Sequence, residues 1–256
     1  MQILTIPAFN DNYIWLLHNP QQRQCAVIDP GQADTLLKRL GALQANLSYI
    51  LLTHHHQDHI GGVEKLLEHY PECKVYANSQ SSLPFQTIGV ESGQSIELKA
   101  LDISLEVIST PGHTSDHVTY YDGHHLFCGD TLFNCGCGRL FEGTAEQMIN
   151  SLEKIASLPT STQIYSAHEY TLSNLKFALT IEPENKTLQA YQQIMVKQRQ
   201  QGLPTIPFDL ASQLDCNPFL RCQKPSVKAA VEASQQSPCS SEIDVFAGLR
   251  QLKDRF

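Results

Sequence analysis

Four short apolar runs in this chain each lead into imidazole or carboxylate side chains. Residues 49–52 run through Thr53 into His54-x-His56-x-Asp58-His59. Residues 105–108 precede Pro111-Gly112-His113-Thr114, residues 126–128 precede Gly129-Asp130-Thr131, and residues 164–167 precede His168. Runs this short, bounded by Gly, Pro and polar residues, read as buried strands. In layered α/β folds the loops at one strand edge converge on a site. Polar donors recurring after strand after strand therefore point to that architecture.

The rest of the chain agrees with a mixed α/β (α+β) class. Residues 13–17, 25–28, 74–77, 95–98, 117–121 and 163–165 also read as strands. Residues 34–43, 62–69 and 146–158 carry apolar residues at helical spacing, the last behind Thr144 as an N-cap. Asp122-Gly123, between two strand-like runs, signals a hairpin. Past residue 172 the character becomes helical, with helices expected over 173–181, 184–201, 226–233 and 241–256. Pro183 suits the first position of the second of these and Gly202 its C-terminal end. Residues 203–218 read as a proline-punctuated connection. Ser241 with Asp244 resembles a capping box. In the last helix Val245, Leu249, Leu252 and Phe256 form one stripe, while Arg250 and Lys253 share another face. The expected division is a catalytic domain over 1–172 and a helical C-terminal domain over 173–256.

Composition excludes several classes. A formal net charge of -8 lacks the basic footprint of nucleic-acid binding. No apolar run approaches the ~20 residues that span a bilayer, so no membrane association is expected. The segment from Met1 to Pro7 has no basic region followed by a long apolar one, so no secretory leader is expected. The 8 cysteines contain no CxxC pair and read as reduced thiols of a cytoplasmic protein. Cys135-Gly136-Cys137-Gly138 reads as a tight Gly-rich turn, with a redox or metal role as the alternative.

The strand-end donors comprise His54, His56, His59, His113, His168, Asp58 and Asp130. Imidazole with carboxylate suits borderline divalent ions such as Zn, Fe(II) or Mn(II). Seven ligands exceed one tetrahedral ion. Two ions that share a bridging carboxylate would use them all, as in two-metal hydrolytic sites. His55, adjacent to two donors, faces elsewhere and is expected to be no ligand. His18, His69, His117, His124 and His125 are expected to be structural or exposed. Asp29 either orients a metal-bound imidazole or simply forms the turn before Pro30-Gly31.

These motifs resemble the metallo-β-lactamase superfamily, whose signature is HxHxDH, and within it the glyoxalase II family of hydroxyacylglutathione hydrolases. The likeness runs through Asp11-Asn12-Tyr13, Val27-Ile28-Asp29-Pro30-Gly31 and Thr53 to Gly62. It continues through Thr110-Pro111-Gly112-His113-Thr114, Gly129-Asp130-Thr131-Leu132-Phe133, Gly136-Cys137-Gly138-Arg139 and Glu142-Gly143-Thr144. Ala167-His168-Glu169-Tyr170-Thr171, Asn217-Pro218-Phe219-Leu220-Arg221 and Lys253-Asp254 complete it. HxHxDH alone marks the superfamily; the HEYT and GCG(K/R) segments and the helical C-terminus mark the narrower family.

The resemblance implies an αββα sandwich with a helical C-terminal domain. It implies one metal on His54, His56 and His113, a second on Asp58, His59 and His168, and Asp130 between them. Two divalent ions are expected, zinc ahead of iron or manganese. Arg139, Tyr170, Asn174, Arg250 and Lys253 are implied to bind glutathione. Phe141 stands where some members carry a Tyr, which removes one hydroxyl from that site.

The implied reaction is hydrolysis of S-(2-hydroxyacyl)glutathione, such as S-D-lactoylglutathione, to glutathione and a 2-hydroxy acid such as D-lactate. A hydroxide held between the metals is the expected nucleophile, with Asp58 and Asp130 as the catalytic carboxylates. This is the second step of methylglyoxal detoxification. A thiolate leaving group has a pKa near ~8.5 and needs no protein acid. Competing readings are another dinuclear hydrolase of the superfamily, a glutathione persulfide dioxygenase, and a non-catalytic metal-binding module. The expected partner is the glutathione thioester alone, with the protein a monomer.

Overall fold

The structure, a computed structural model, describes residues 1–256. It forms two compact units, Met1–Ser109 with Asp116–Gly129, and Thr110–Ser115 with Asp130–Phe256. The first contains β1 (Gln2–Ala8), β2 (Asn12–Asn19), β3 (Gln24–Ile28), α1 (Ala33–Leu43), β4 (Asn46–Leu51), α2 (Gln57–Ile60) and α3 (Val63–His69). It continues with β5 (Lys74–Asn78), β6 (Ile88–Val90), β7 (Ser95–Leu98), β8 (Ile103–Ser109), β9 (Val118–Tyr121) and β10 (His125–Gly129).

Strands β1 to β6 lie side by side in chain order. The first three are antiparallel neighbours, and β3 to β6 are parallel. The parallel pair β3–β4 needs a crossover, which α1 supplies. Leu36 and Leu40 of α1 and Val63 and Leu66 of α3 join Val27, Ile50 and Val75 in one apolar core. Parallel strands of this kind are buried on both faces, so β3 and β4 are nearly continuous apolar runs. Strands β7 to β10 are antiparallel. Tyr120 on β9 donates its hydroxyl to the Leu52 carbonyl at the end of β4, 2.7 Å away.

The second unit contains β11 (Leu132–Phe133), β12 (Gly136–Cys137), α4 (Ala145–Ala156), β13 (Gln163–Ser166), α5 (Thr171–Ile181) and α6 (Lys186–Gln200). Then come β14 (Phe208–Asp209), α7 (Leu210–Cys216), a 3-10 turn (Pro218–Leu220), α8 (Pro225–Gln235) and α9 (Glu242–Arg255). Thr144 caps α4 as the sequence predicts, here in a capping box with Gln147, and Ser241 caps α9 in the predicted capping box with Asp244.

Several expectations are corrected. Helix α6 starts after Asn185, whose side chain accepts the Leu188 N–H at 3.1 Å. Asn185 is a stronger cap than a proline start, and Pro183 lies outside the helix. The expected connection over 203–218 contains α7, capped by Asp209, whose carboxylate accepts the Ser212 N–H. Strand β1 was not anticipated, because its pairing partner rather than its alternation makes it a strand; Pro7 is tolerated because β1 is an edge. On α9, Phe246 is buried with Val245 and Leu249, while Phe256 is 60% exposed.

Candidate metal centre

In the first unit the donors follow β4. The chain leaves that strand at Leu52, extends through His54–His56, and turns into α2, so Asp58 and His59 stand on its first turn. Gly31 makes this possible: a Cβ there would lie 1.8 Å from the Asp58 carbonyl oxygen, so only glycine lets the end of β3 approach.

Asp29, just past β3, organises the donors. It takes a left-handed backbone, φ 51°. Its carboxylate accepts the Thr53 N–H at 2.8 Å, the Thr53 hydroxyl at 2.6 Å and His59 Nδ1 at 3.0 Å. The Thr53 hydroxyl has one proton, and it goes to Asp29. Thr53 Oγ1 must therefore accept from His54 Nδ1, 3.0 Å away. Both imidazoles are thereby held as Nδ1–H tautomers whose Nε2 carries the lone pair, the form that ligates metal. Asp29 thus fills both roles that the sequence left open, turn former and orienter.

His54 Nε2 lies 3.1 Å from His56 Nδ1, and His59 Nε2 lies 3.5 Å from Asp58 Oδ2. Asn12 on β2 donates Nδ2 to Asp58 Oδ2 at 3.0 Å. His55 turns away, as expected, and pairs through Nδ1 with the buried Asp116 at 3.0 Å. Ser81 also donates to Asp116. His117 is fully buried and stacks on His54, with centroids 4.9 Å apart.

The second unit carries the other three donors. Asp130 Oδ2 lies 3.4 Å from His113 Nε2 and 3.4 Å from His168 Nε2. His113 Nδ1 donates to the Arg139 carbonyl at 2.8 Å, which again leaves Nε2 as the ligating atom. Gly138 faces the Asp130 carbonyl so closely that a Cβ would lie 2.0 Å from it. The His168 ring stacks on Tyr170, 4.7 Å between centroids and 8° from parallel.

These spacings can be tested against a metal. Tetrahedral bonds of 2.0–2.1 Å place ligand atoms roughly 3.3–3.4 Å apart. The pairs within each unit fall at 3.1, 3.5, 3.4 and 3.4 Å. Five of the seven donors, His54, His59, His113, Asp130 and His168, are buried. A buried imidazole–carboxylate set with ligand spacing and fixed tautomers fits a divalent cation, and Asp130, equidistant from two imidazoles, has the geometry of a shared ligand.

The five expected substrate residues also lie in the second unit. Arg139 donates Nε to Asp254 at 3.1 Å, and Arg250 reaches the same carboxylate through Nη2 at 3.0 Å. Arg250 is buried and donates Nη1 to the Cys137 carbonyl at 2.9 Å. Lys253 sits 5.3 Å from the ring centroids of both Phe177 and Phe256, with Ser173 Oγ 3.4 Å from its Nζ. Burial, with Arg250 beside it, pulls the Lys253 pKa down to about 8. Tyr170 immediately precedes α5, and Asn174, on that helix, donates Nδ2 to the Asn134 carbonyl. The structure therefore gathers Arg139, Arg250 and Lys253 near Asp254.

Sequence reasoning assigned no role to Asn12, although it lies in a quoted motif, nor to Asp116. A residue that works by satisfying a ligand's second hydrogen bond carries no periodic signature. All eight cysteines are buried and none forms a disulfide.

Two family models match. The metallo-beta-lactamase superfamily covers residues 9–168, and the hydroxyacylglutathione hydrolase C-terminus covers residues 169–256. A hydroxyacylglutathione hydrolase of Aeromonas salmonicida (strain A449) is 49% identical over 255 residues, 99% of each chain. Among solved structures, ETHE1 from Myxococcus xanthus superposes with a TM-score of 0.67 at 21% identity, covering 98% of each chain. TTHA1623 in a di-iron-bound form superposes with a TM-score of 0.56 at 26% identity, covering 66% of this chain and 92% of its own. No helix is long and apolar enough to cross a membrane.

Proposed function

Because this chain belongs to the metallo-beta-lactamase superfamily and, within it, to the hydroxyacylglutathione hydrolases, we propose that it hydrolyses S-(2-hydroxyacyl)glutathione to glutathione and a 2-hydroxy acid. S-D-lactoylglutathione, giving D-lactate, is the substrate to test. The observation that carries this reading is near-half identity along the whole length, through both the metal-bearing and the C-terminal segments.

His54, His56 and His113 would hold one divalent ion, Asp58, His59 and His168 the other, with Asp130 shared. Zinc is the first candidate, with iron and manganese next. When bound, such a pair lowers the pKa of a water and offsets the negative charge that develops on the carbonyl oxygen. The chain's own residues do the rest. Asp29 holds His59 directly and His54 through Thr53. Asn12 holds the Asp58 carboxylate, which would orient the attacking water by accepting its hydrogen. The leaving group is a thiolate with a pKa near ~8.5, so no side chain needs to protonate it. Burial pushes the Cys137 thiol up to about 11 and the Cys25 thiol up to about 12, so neither supplies a thiolate nucleophile at neutral pH.

Residues 173–256, with Arg139 and Tyr170, would bind the glutathione part, Arg139, Arg250 and Lys253 meeting its carboxylates and Tyr170 and Asn174 its peptide groups. The protein is proposed to work as a cytoplasmic monomer, without nucleic acid or membrane partners. Protein loaded with Zn, Fe or Mn should cleave S-D-lactoylglutathione, and a chelator should abolish the activity. Failure of all three metal-loaded preparations to cleave the thioester would sink the proposal.

A further inference from the structure

We propose that Gln213 is a positioning residue for the metal centre and the glutathione site, acting through the turn between β11 and β12. This rests on the function proposed above. The two strands are joined by Asn134 and Cys135. Cys135 has a φ of 57°, in the left-handed region that a residue with a Cβ adopts only when its surroundings hold it there. It is fully buried, so solvent cannot satisfy its backbone.

Gln213, on α7 and fully buried, grips both turn residues at once. Its Oε1 accepts the Cys135 N–H at 2.7 Å, and its Nε2 donates to Asn134 Oδ1 at 2.9 Å. Reversing the amide would set donor against donor and acceptor against acceptor, so the orientation is unique. Asn217 closes the strand ends, donating Nδ2 to the carbonyls of Gly136 at 2.9 Å and Phe133 at 3.2 Å. Tyr191 on α6 donates its hydroxyl to Asn134 Oδ1 at 3.0 Å. No atom of Gln213 enters the metal donor set or the cationic group around Asp254.

What this turn carries explains the role. Asp130 and Arg139 bracket the two short strands. The Arg139 carbonyl holds His113 in its ligating tautomer. The Cys137 carbonyl accepts Arg250. Phe133 sets its ring edge against both His168 and Tyr170, at 5.9 and 5.3 Å. A shift of the turn would thus move a shared metal ligand, the orienter of another, and two groups proposed to bind glutathione.

The experiment uses zinc-loaded full-length protein. Zinc affinity is measured by competition with a chelating dye, and KM and kcat with S-D-lactoylglutathione. Gln213→Leu should stay folded by circular dichroism, bind the weaker-held zinc at least tenfold less tightly and raise KM at least fivefold. Gln213→Glu keeps an acceptor for the Cys135 N–H but must hold a proton to donate to Asn134 Oδ1, so its losses should be smaller than those of Gln213→Leu, and smallest at low pH relative to wild type at the same pH. A residue that only filled space would show the reverse order. Should Gln213→Leu not fold, Gln213→Asn, which withdraws the amide from the turn by one methylene, must show the same losses. Wild-type zinc affinity and KM in Gln213→Asn, or equal defects in the Leu and Glu variants, overturn the role. Wild-type protein that neither binds zinc nor cleaves the thioester overturns the function itself.

Discussion

One carboxylate, that of Asp29, receives a backbone N–H, a hydroxyl and an imidazole N–H. An Asp29→Ala variant would release two ligand imidazoles from their tautomers. Loss of such an outer partner typically weakens metal binding 10–100-fold. Chelator competition should find a loss in that range, and an unchanged affinity would remove Asp29 from the account. Lys253 gives a pH signature. Its ammonium form is proposed to meet a glutathione carboxylate, and its pKa is lowered to about 8, first by burial and then by Arg250. KM should therefore rise as pH passes through 8, and Lys253→Arg should flatten that rise. The stability sign is separate. Between about pH 8 and 10.5 the unfolded chain holds a proton that the folded lysine has lost, so this group's contribution to stability grows with pH there. The seven candidate donors stand out in the sequence because each follows an apolar run. Asn12, Asp116 and Gln213 were not, because a polar side chain that satisfies another has neither period nor spacing to mark it.

At the scale of elements, local chemistry was readable where a cap and a stripe coincide. Thr144 with Gln147, followed by buried Met148, Ile149, Leu152 and Ile155, defines α4 completely. Thr144→Ala should cost about 1 kcal/mol of unfolding free energy in denaturant titration, with KM unchanged. Helix α7 was missed because its proline-rich approach outweighed seven residues without a clean stripe, and its residues are placed by the amide contacts of Gln213. The end of α5 is tied to α8 by a buried carboxylate. Glu182 accepts Arg221 Nε at 2.8 Å and the Ser226 hydroxyl at 2.7 Å. Burial would raise its pKa, but these hydrogen bonds prevail and hold the carboxyl below its usual value. Its stabilisation is thus complete above about pH 4.5 and is lost as pH falls below that. Glu182→Ala leaves Arg221 without its partner and should cost roughly 3 kcal/mol. A value under 1 kcal/mol would show the pair to be dispensable.

For the whole molecule, the proposed ions and Arg139, Arg250 and Lys253 would offset the net charge of -8 where an anionic substrate is proposed to bind. Metal that binds only the folded chain stabilises it, by about 2.7 kcal/mol at a free concentration a hundred times the Kd. Stripping the metal should therefore lower Tm in a calorimetric scan as well as abolish thioester cleavage; an identical Tm would deny that the donors hold metal tightly. The class of fold and the helical C-terminal region were legible from strand and cap patterns, whereas β11, β12 and β14, two residues each, are too short to show a period. The eight buried thiols have one further consequence. Those of Cys25 and Cys73 are held near about 12, and those of Cys137 and Cys216 near about 11. At neutral pH the thiolate fraction of these four is on the order of 10⁻⁴ or less, so at these positions an alkylating reagent meets almost nothing reactive in the closed protein. Carboxamidomethylation thus becomes a clock for opening, read by mass at each cysteine. Cys25 and Cys73 keep time for one compact unit, Cys137 and Cys216 for the other.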